Sequence, residues 1–326
     1  MEIKGKRFLV IGGAGFIGSH VVNELLQHDV AEVIIFDNFT RGKITNIQES
    51  LNDPRCSVFQ DGGDIRDTDI LDQAMKGVDG VFHLAAMWLL HCKEYPRTAF
   101  ETNIQGTFNV LEACVNNGVS KLIYSSSASV YGDADEIPMT ENHSFNNRNF
   151  YGATKIAGEA MARAFFDRYG LDYVGLRYMN VYGPNQDQNA AYTGVIPIML
   201  NKIDANETPV INGDGSQAYD FVTARDAARC NVLAIKSDVS DQFFNVCTGV
   251  QTSIKELCDL ILKLTDSKLT VTFKPYSKED ARQLVQNRIG SAQKASERLG
   301  FMYKDSLENG LNNLIEWRTA HREKSL

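Results

Sequence analysis

Short apolar runs alternate with stretches of helical periodicity through the first half of the chain. Arg7–Ile11, Val33–Asp37, Ser57–Asp61, Gly80–Leu84, Lys121–Ser125 and Tyr173–Tyr178 have the length and composition of buried strands. Between them, apolar positions recur at helical spacing over Gly15–Gln27, Ile70–Met75, Thr98–Asn116 and Tyr151–Tyr169. Gly118 and Gly170 follow the last two, where glycine best ends a helix. Such alternation predicts an α/β fold built on a doubly wound parallel sheet. After about Asn180, Pro184, Pro197, Pro209 and Pro275 mark shorter elements and longer loops. Phe243–Val246 reads as a strand returning to the sheet, and Ile254–Leu264 and Leu307–Arg318 read as helices. The expected division is residues 1–180, with the returning strand near 243–249, and a smaller α/β lobe over 181–326.

The first strand runs into glycines at 12, 15 and 18, in the order G-G-A-G-F-I-G. Gly12 permits a tight turn, Gly15 lets the backbone approach a pyrophosphate, and Gly18 lets the next helix pack on the strand. That helix, from about Phe16 and Ile17, aims its N-terminal N–H groups at the phosphates. The second apolar run ends in Asp37, about twenty residues on, where a carboxylate accepts from the ribose hydroxyls. The pattern is a Rossmann-type dinucleotide site, with 1–180 as its domain and 181–326 mainly as a substrate lobe. Asp37 favours NAD, because it repels the 2′-phosphate of NADP, although nearby Arg41 would accommodate that phosphate.

The 326 residues carry a net charge of −8, which argues against a nucleic-acid partner. No apolar run approaches the roughly 18–20 residues of a membrane span, and the N-terminus lacks a signal-peptide pattern. The six cysteines contain no C-x-x-C pair and show no ligand spacing with the six histidines. Reduced thiols in a cytoplasmic protein without a metal site are expected.

Tyr151 and Lys155 stand one helical turn apart, the phenol and the ammonium on one face. An ammonium near a phenol lowers its pKa, as would a positive nicotinamide ring, making Tyr151 a base for an alcohol or sugar hydroxyl. Just before them, Lys121–Gly132 (KLIYSSSASVYG) is a strand ending in hydroxyls, one of which would share the substrate proton.

With these pieces the chain resembles the extended short-chain dehydrogenase/reductase family, specifically its NAD-dependent, UDP-glucose 4-epimerase-like nucleotide-sugar epimerases and dehydratases. The matching segments are Gly12–Gly18, Asp37, Gly63–Asp67 (GDIRD), His83–Ala86 (HLAA), Asn103 with Gly106-Thr107, Ser125–Gly132, Tyr151/Lys155 and Arg177–Pro184 (RYMNVYGP). The resemblance implies Ser127, Tyr151 and Lys155 as the catalytic set. Asn38 would join Asp37 and Arg41 at the cofactor, Asp64 and Ile65 would flank the adenine, and Leu84, Ala85 and Ala86 would line the cofactor. Tyr178 would sit near the nicotinamide. Asn103, counted with the cofactor site, would be structural, close to the active-site helix. Asn180 would hold the substrate diphosphate.

The family's 4,6-dehydratases carry an acidic pair after the catalytic hydroxyl, and its decarboxylases keep a glutamate there. This chain has Ala128 and Ser129, neither an acid or base near pH 7, which resembles the 4-epimerases. The implied reaction is 4-epimerisation of a nucleotide sugar, with a UDP-sugar favoured and a 4-keto intermediate; the alternatives are a nucleotide-sugar dehydratase or other oxidoreductase, and an NAD-bound sensor without turnover. Departures fall at the substrate. Tyr219 stands where the family's diphosphate arginine belongs, with Arg225, Arg282 and Arg288 as candidate replacements; Arg282 matches a second family arginine. Arg288 falls near the position that gates sugar size. Trp88 would stack on a sugar, and His91 reads as a rim or structural residue. Related enzymes pair the helices over 98–116 and 151–169 with their copies, so a homodimer is expected.

Overall fold

The computed structural model describes residues 1–187, 194–276 and 285–322. Its strands, in chain order, are β1 (Arg7–Ile11), β2 (Glu32–Phe36), β3 (Cys56–Val58), β4 (Gly80–His83), β5 (Lys121–Ser127), β6 (Tyr173–Tyr178) and β7 (Asn180–Tyr182). Then come β8 (Val210–Asn212), β9 (Ala218–Tyr219), β10 (Phe221–Thr223), β11 (Gln242–Val246), β12 (Thr252–Ser253), β13 (Thr272–Lys274) and β14 (Asn287–Arg288). Seven of them form one sheet in the order β11-β6-β5-β4-β1-β2-β3, and every pairing in it is parallel. The chain starts at β1, winds outward through β2 and β3, then crosses to β4 on the other side of β1. That reversal opens a crevice at the strands' C-terminal ends, between the loops of β1 and β4.

Alternation along β1 builds both faces. Phe8 and Val10 join the cluster formed with Val21, Val22 and Leu25 of helix Phe16–Leu26 and Ala227, Ala228 and Val232 of helix Ala224–Lys236. Leu9 and Ile11 join the opposite cluster, with Leu71, Val110, Leu111, Ala162 and Phe165 from helices Thr68–Ala74, Gly106–Asn116 and Phe150–Tyr169. The result is three layers with the parallel sheet in the middle. A separate apolar cluster contains Tyr182, Ile196, Leu200, Ile211, Phe221, Leu257, Ile261 and Leu311, and lies outside the sheet.

The predicted strands and helices are present with shifted ends. β5 runs two residues further than predicted, because Ser126 and Ser127 stay paired with Arg177 and Tyr178. β3 stops at Val58 rather than Asp61. Phe243–Val246 is the body of β11, which pairs with β6. Helix Phe150–Tyr169 is capped by the Asn149 side chain on the Gly152 N–H and ends at Gly170 with φ 71°. The helix predicted over Thr98–Asn116 is not uniform: an α-helical turn at Pro96–Ala99 gives way to a π-helix at Phe100–Gln105 before Gly106–Asn116. Among the described residues no helix is long and apolar enough to cross a membrane, and no group of His, Cys, Asp or Glu is placed to hold a metal.

Candidate active site

The glycine turn after β1 is shaped by close approach. Gly12 has φ 83°, and a Cβ there would lie 2.7 Å from the Ala85 nitrogen; one on Gly18 would lie 2.0 Å from the Gly12 carbonyl oxygen. Gly15 caps helix Phe16–Leu26 with extended backbone, leaving the helix's first N–H groups open. Asp37, at the end of β2, accepts from the Ala14 N–H and from the Phe39 N–H, both at 2.9 Å. Burial raises its pKa and these N–H groups oppose the rise. The walls around it are glycine: a Cβ at Gly42 would strike its carboxylate and one at Gly63 its backbone. A bare turn, an open helix N-terminus and a buried acid at the second strand fit a pyrophosphate and a ribose.

These parts belong to one cleft of about 460 Å³. Gly12, Gly15, Phe16, Ile17 and Gly18 line it together with Asp37, Asn38 and Arg41; Asp64 and Ile65 form another wall. Leu84, Ala85, Ala86 and Trp88 follow β4, and Tyr151, Lys155 and Tyr178 close the far end. Asn103, Ser127, Asn180 and Tyr219 are not among its lining residues, although Ser125 and Ser126 are. Arg282 lies outside the described residues.

At the far end, β5 delivers three serines in a row, and the surroundings separate them. Ser125 Oγ lies 3.0 Å from the Tyr178 hydroxyl, and Ser126 Oγ donates to Glu159 at 2.5 Å. Ser127, at the strand's tip, accepts from the Ser129 N–H, and its hydroxyl draws the Tyr151 pKa downward. Lys155 is 4% exposed, and its ammonium donates to the Ser125 carbonyl at 2.7 Å and sits 5.7 Å from the centre of the Tyr151 ring. Burial pulls Lys155 down to about 8, partly offset by Cys92 and Glu159. Burial also pushes Tyr151 up to about 12, with Ser127 and Arg41 opposing it. The expected fall in the Tyr151 pKa is therefore not present in the protein alone: enclosure outweighs the neighbouring donors and cations.

A buried network behind the serines was not foreseen. Arg177 binds Glu159 through two nitrogens at 2.9 and 2.7 Å and reaches the Tyr131 hydroxyl at 2.9 Å; Tyr131 in turn donates to Asn245. The available signal was an arginine inside the apolar β6 and a glutamate one turn beyond Lys155. Asn231, also unforeseen, donates to the Tyr178 hydroxyl at 2.8 Å. Asn103 braces two segments: its carbonyl accepts from the Met87 N–H at 2.6 Å, and its amide donates to the Met87 carbonyl and to Thr154 Oγ1.

The substrate-side residues spread wider. Trp88 carries the Arg41 guanidinium over its ring at 4.6 Å and packs on His91 at 5.3 Å. Asn180 donates to the Asp220 carbonyl at 3.0 Å, and the Tyr219 hydroxyl donates to the Val285 carbonyl at 2.8 Å. Arg225 is exposed on the first turn of helix Ala224–Lys236. Asp220, which was not singled out, is fully buried and accepts from Thr248 and Gly249.

Comparison with known proteins places this arrangement. A Methanocaldococcus jannaschii protein provisionally named UDP-glucose 4-epimerase is 36% identical, over 95% of this chain and 97% of that protein. The solved UDP-N-acetylglucosamine 4-epimerase of Methanobrevibacter ruminantium M1, in complex with UDP-N-acetylmuramic acid, superposes with a TM-score of 0.91 at 33% identity, covering 98% of this chain and 99% of that one. The Thermotoga maritima UDP-glucose 4-epimerase with UDP-glucose gives a TM-score of 0.88 at 33% identity, covering 97% and 99%. With residues 8–247 matching its sequence pattern, the chain belongs to the NAD dependent epimerase/dehydratase family.

Proposed function

We propose that this enzyme is a nucleotide-sugar 4-epimerase acting on a UDP-sugar. The observation that carries the reading is the turn after Ser127. Ala128 and Ser129 are buried there in a 3₁₀ turn, so no side chain of that turn protonates or deprotonates a sugar carbon near neutral pH. The hydroxyl and amine groups around it are complete.

NAD held in this cleft would supply the acceptor and donor for the hydride at C4 of the sugar. Gly12, Gly15–Gly18, Asp37, Asn38, Arg41, Asp64, Ile65 and Leu84–Ala86 would hold it along the cleft. Ser127 holds the C4 oxygen and shares its proton. Tyr151 removes that proton as the ketone forms and gives it back as the alcohol is restored. Lys155, held by the Ser125 carbonyl, keeps a positive charge beside the phenol. Asn180 and the lobe over 181–326 grip the nucleotide, while Trp88 offers a flat wall to the sugar.

The helical stretch Phe100–Asn116 and helix Phe150–Tyr169 also leave aromatic side chains outside: Phe100, Phe108 and Tyr169 are 53%, 42% and 58% exposed. A second copy of the chain covers this face in the reading favoured here, giving a homodimer. Six buried, unpaired cysteines suit the reducing cytoplasm.

The test is the mass of the product from a panel of UDP-, dTDP-, GDP- and CDP-sugars. An isomer of unchanged mass is expected. A product lighter by one water would make the enzyme a dehydratase, and one lighter by carbon dioxide a decarboxylase.

A further inference from the structure

One buried ion pair grips the chain on both sides of Ser127. Glu159 accepts from Arg177 through two nitrogens, at 2.9 and 2.7 Å, and both side chains are shut off from solvent. Glu159 also accepts from the Ser126 hydroxyl at 2.5 Å, the residue before Ser127. Arg177 donates to the Tyr131 hydroxyl at 2.9 Å, just past the 3₁₀ turn Ala128–Val130 that follows Ser127. Ser126 and Arg177 are also partners in the pairing of β5 with β6, next to the pair Ser127 and Tyr178. Glu159 itself stands one turn after Lys155, on the same face of helix Phe150–Tyr169. The helix lies close on β5 here: a Cβ on Gly158 would be 2.0 Å from the Tyr124 hydroxyl. One carboxylate therefore ties the helix that carries Tyr151 and Lys155 to the strand that carries Ser127.

The same carboxylate is the counter-charge of Lys155. The titratable groups around that ammonium are Tyr124 on β5, His83 on β4, Cys92 on helix Leu89–Glu94, and Tyr151 and Glu159 on its own helix. Burial pushes the Cys92 thiol up to about 11 and Tyr151 up to about 12, raises Tyr124 too, and pulls His83 down to about 3. Those four are neutral near pH 7. Among the described residues facing Lys155, that leaves Glu159 as the anion, shared with Arg177 of β6. A buried ion pair costs more to desolvate than apolar side chains of the same volume, so stability alone does not call for one here.

Building on the roles proposed above for Ser127 and Lys155, we infer that Glu159 is a positioning residue of the active site. Together with Arg177 it fixes the tip of β5 on which Ser127 stands, and it supplies the negative charge that keeps Lys155 an ammonium.

The test compares wild type with Glu159→Gln, Glu159→Asp and Ser126→Ala. The readouts are kcat and KM against pH for UDP-glucose and UDP-N-acetylglucosamine, and the titration of Lys155 by NMR of lysine-labelled enzyme, its signal assigned through Lys155→Met. In Glu159→Gln the Lys155 titration, and with it the alkaline limb of kcat, should move about one pH unit lower. Its kcat at neutral pH should fall about 10- to 100-fold with KM nearly unchanged. Glu159→Asp keeps the charge, so its limb stays at the wild-type pH while kcat falls. Ser126→Ala cuts only the link to the strand tip, and lowers kcat about 10-fold with the limb in place. A purely structural ion pair would change the yield of folded enzyme and leave the Lys155 titration where it is. An unmoved Lys155 titration in folded Glu159→Gln, or a wild-type kcat in Ser126→Ala, overturns the inference. If Glu159→Gln does not fold, Ser126→Ala decides by the same criterion. A wild type that epimerises neither sugar overturns the parent reading, and the Lys155 titration, which needs no turnover, then decides the inference by itself.

Discussion

Lys155, on helix Phe150–Tyr169, anchors its ammonium to the carbonyl of Ser125 on β5 at 2.7 Å. The contact orients a charge that burial disfavours. With the folded pKa pulled from 10.5 to about 8, the wild type carries a stability penalty below pH 8. That penalty disappears as pH rises from about 8 to 10.5, because there the unfolded chain holds a proton that the folded chain has lost. Lys155→Met removes the penalty at every pH. In the apo protein its stability advantage over wild type should therefore shrink by about 2–3 kcal/mol between pH 7.5 and 10.5, read from urea unfolding. A constant difference would show that Lys155 is not desolvated. Activity of the variant is expected to fall by two orders of magnitude or more.

Tyr151→Phe keeps the ring and its packing but removes the proton acceptor. Turnover should drop by roughly 10²–10⁴-fold with NAD still bound, measured as released nucleotide after denaturation. Wild-type rates in this variant would move the base to another group. In wild type the rate at limiting substrate should rise with pH on the acid side, since the protein alone holds Tyr151 at about 12, and any activity near pH 7 requires cofactor and substrate to bring it down.

Cofactor choice rests on Asp37. Its two carboxylate oxygens face the glycine turn and the Phe39 N–H, whereas the Arg41 guanidinium lies over the Trp88 ring. NAD should bind more tightly than NADP, and Asp37→Ser should narrow the ratio by about 10- to 100-fold. A wild-type preference for NADP would give Arg41 the deciding role.

Assembly is read at Phe108, whose ring packs on Phe165 with centroids 5.4 Å apart and remains 42% exposed. Sedimentation should give a dimer at micromolar concentration, and Phe108→Glu should shift it toward monomer. A wild-type monomer would leave the aromatic face without its proposed partner.

The parts legible in the sequence are those where one local requirement dominates. Gly12 and Gly18 announce themselves because any Cβ there collides with backbone, and β1, β2 and β6 because their apolar runs have no other use. The parts that stayed hidden depend on distant neighbours. Ser125, Ser126 and Ser127 are identical as letters; the resemblance singles out Ser127, but the tasks of Ser125 and Ser126 come only from Tyr178 and Glu159. The direction of the Tyr151 pKa was misjudged for the same reason: one neighbouring lysine is visible in a sequence, whereas enclosure by several loops is not. The orientation of Tyr219 toward Val285 has no local signal either. Periodicity at three and four residues cannot resolve the wider turn at Phe100–Gln105.

That wider turn has a consequence for how the chain tolerates change. An additional residue in one turn puts the flanking helices out of phase by about 100°. The wider turn itself thereby holds Asn103 on Met87 and Thr154, while the downstream helix presents Phe108 to the outside. A single-residue deletion between Phe100 and Gln105 would restore a continuous α-helix and rotate one of these two surfaces off its target. Helices usually absorb substitution well; this one encodes its two allegiances in its length, so it should accept exchanges of residue far better than a frame-preserving loss of one.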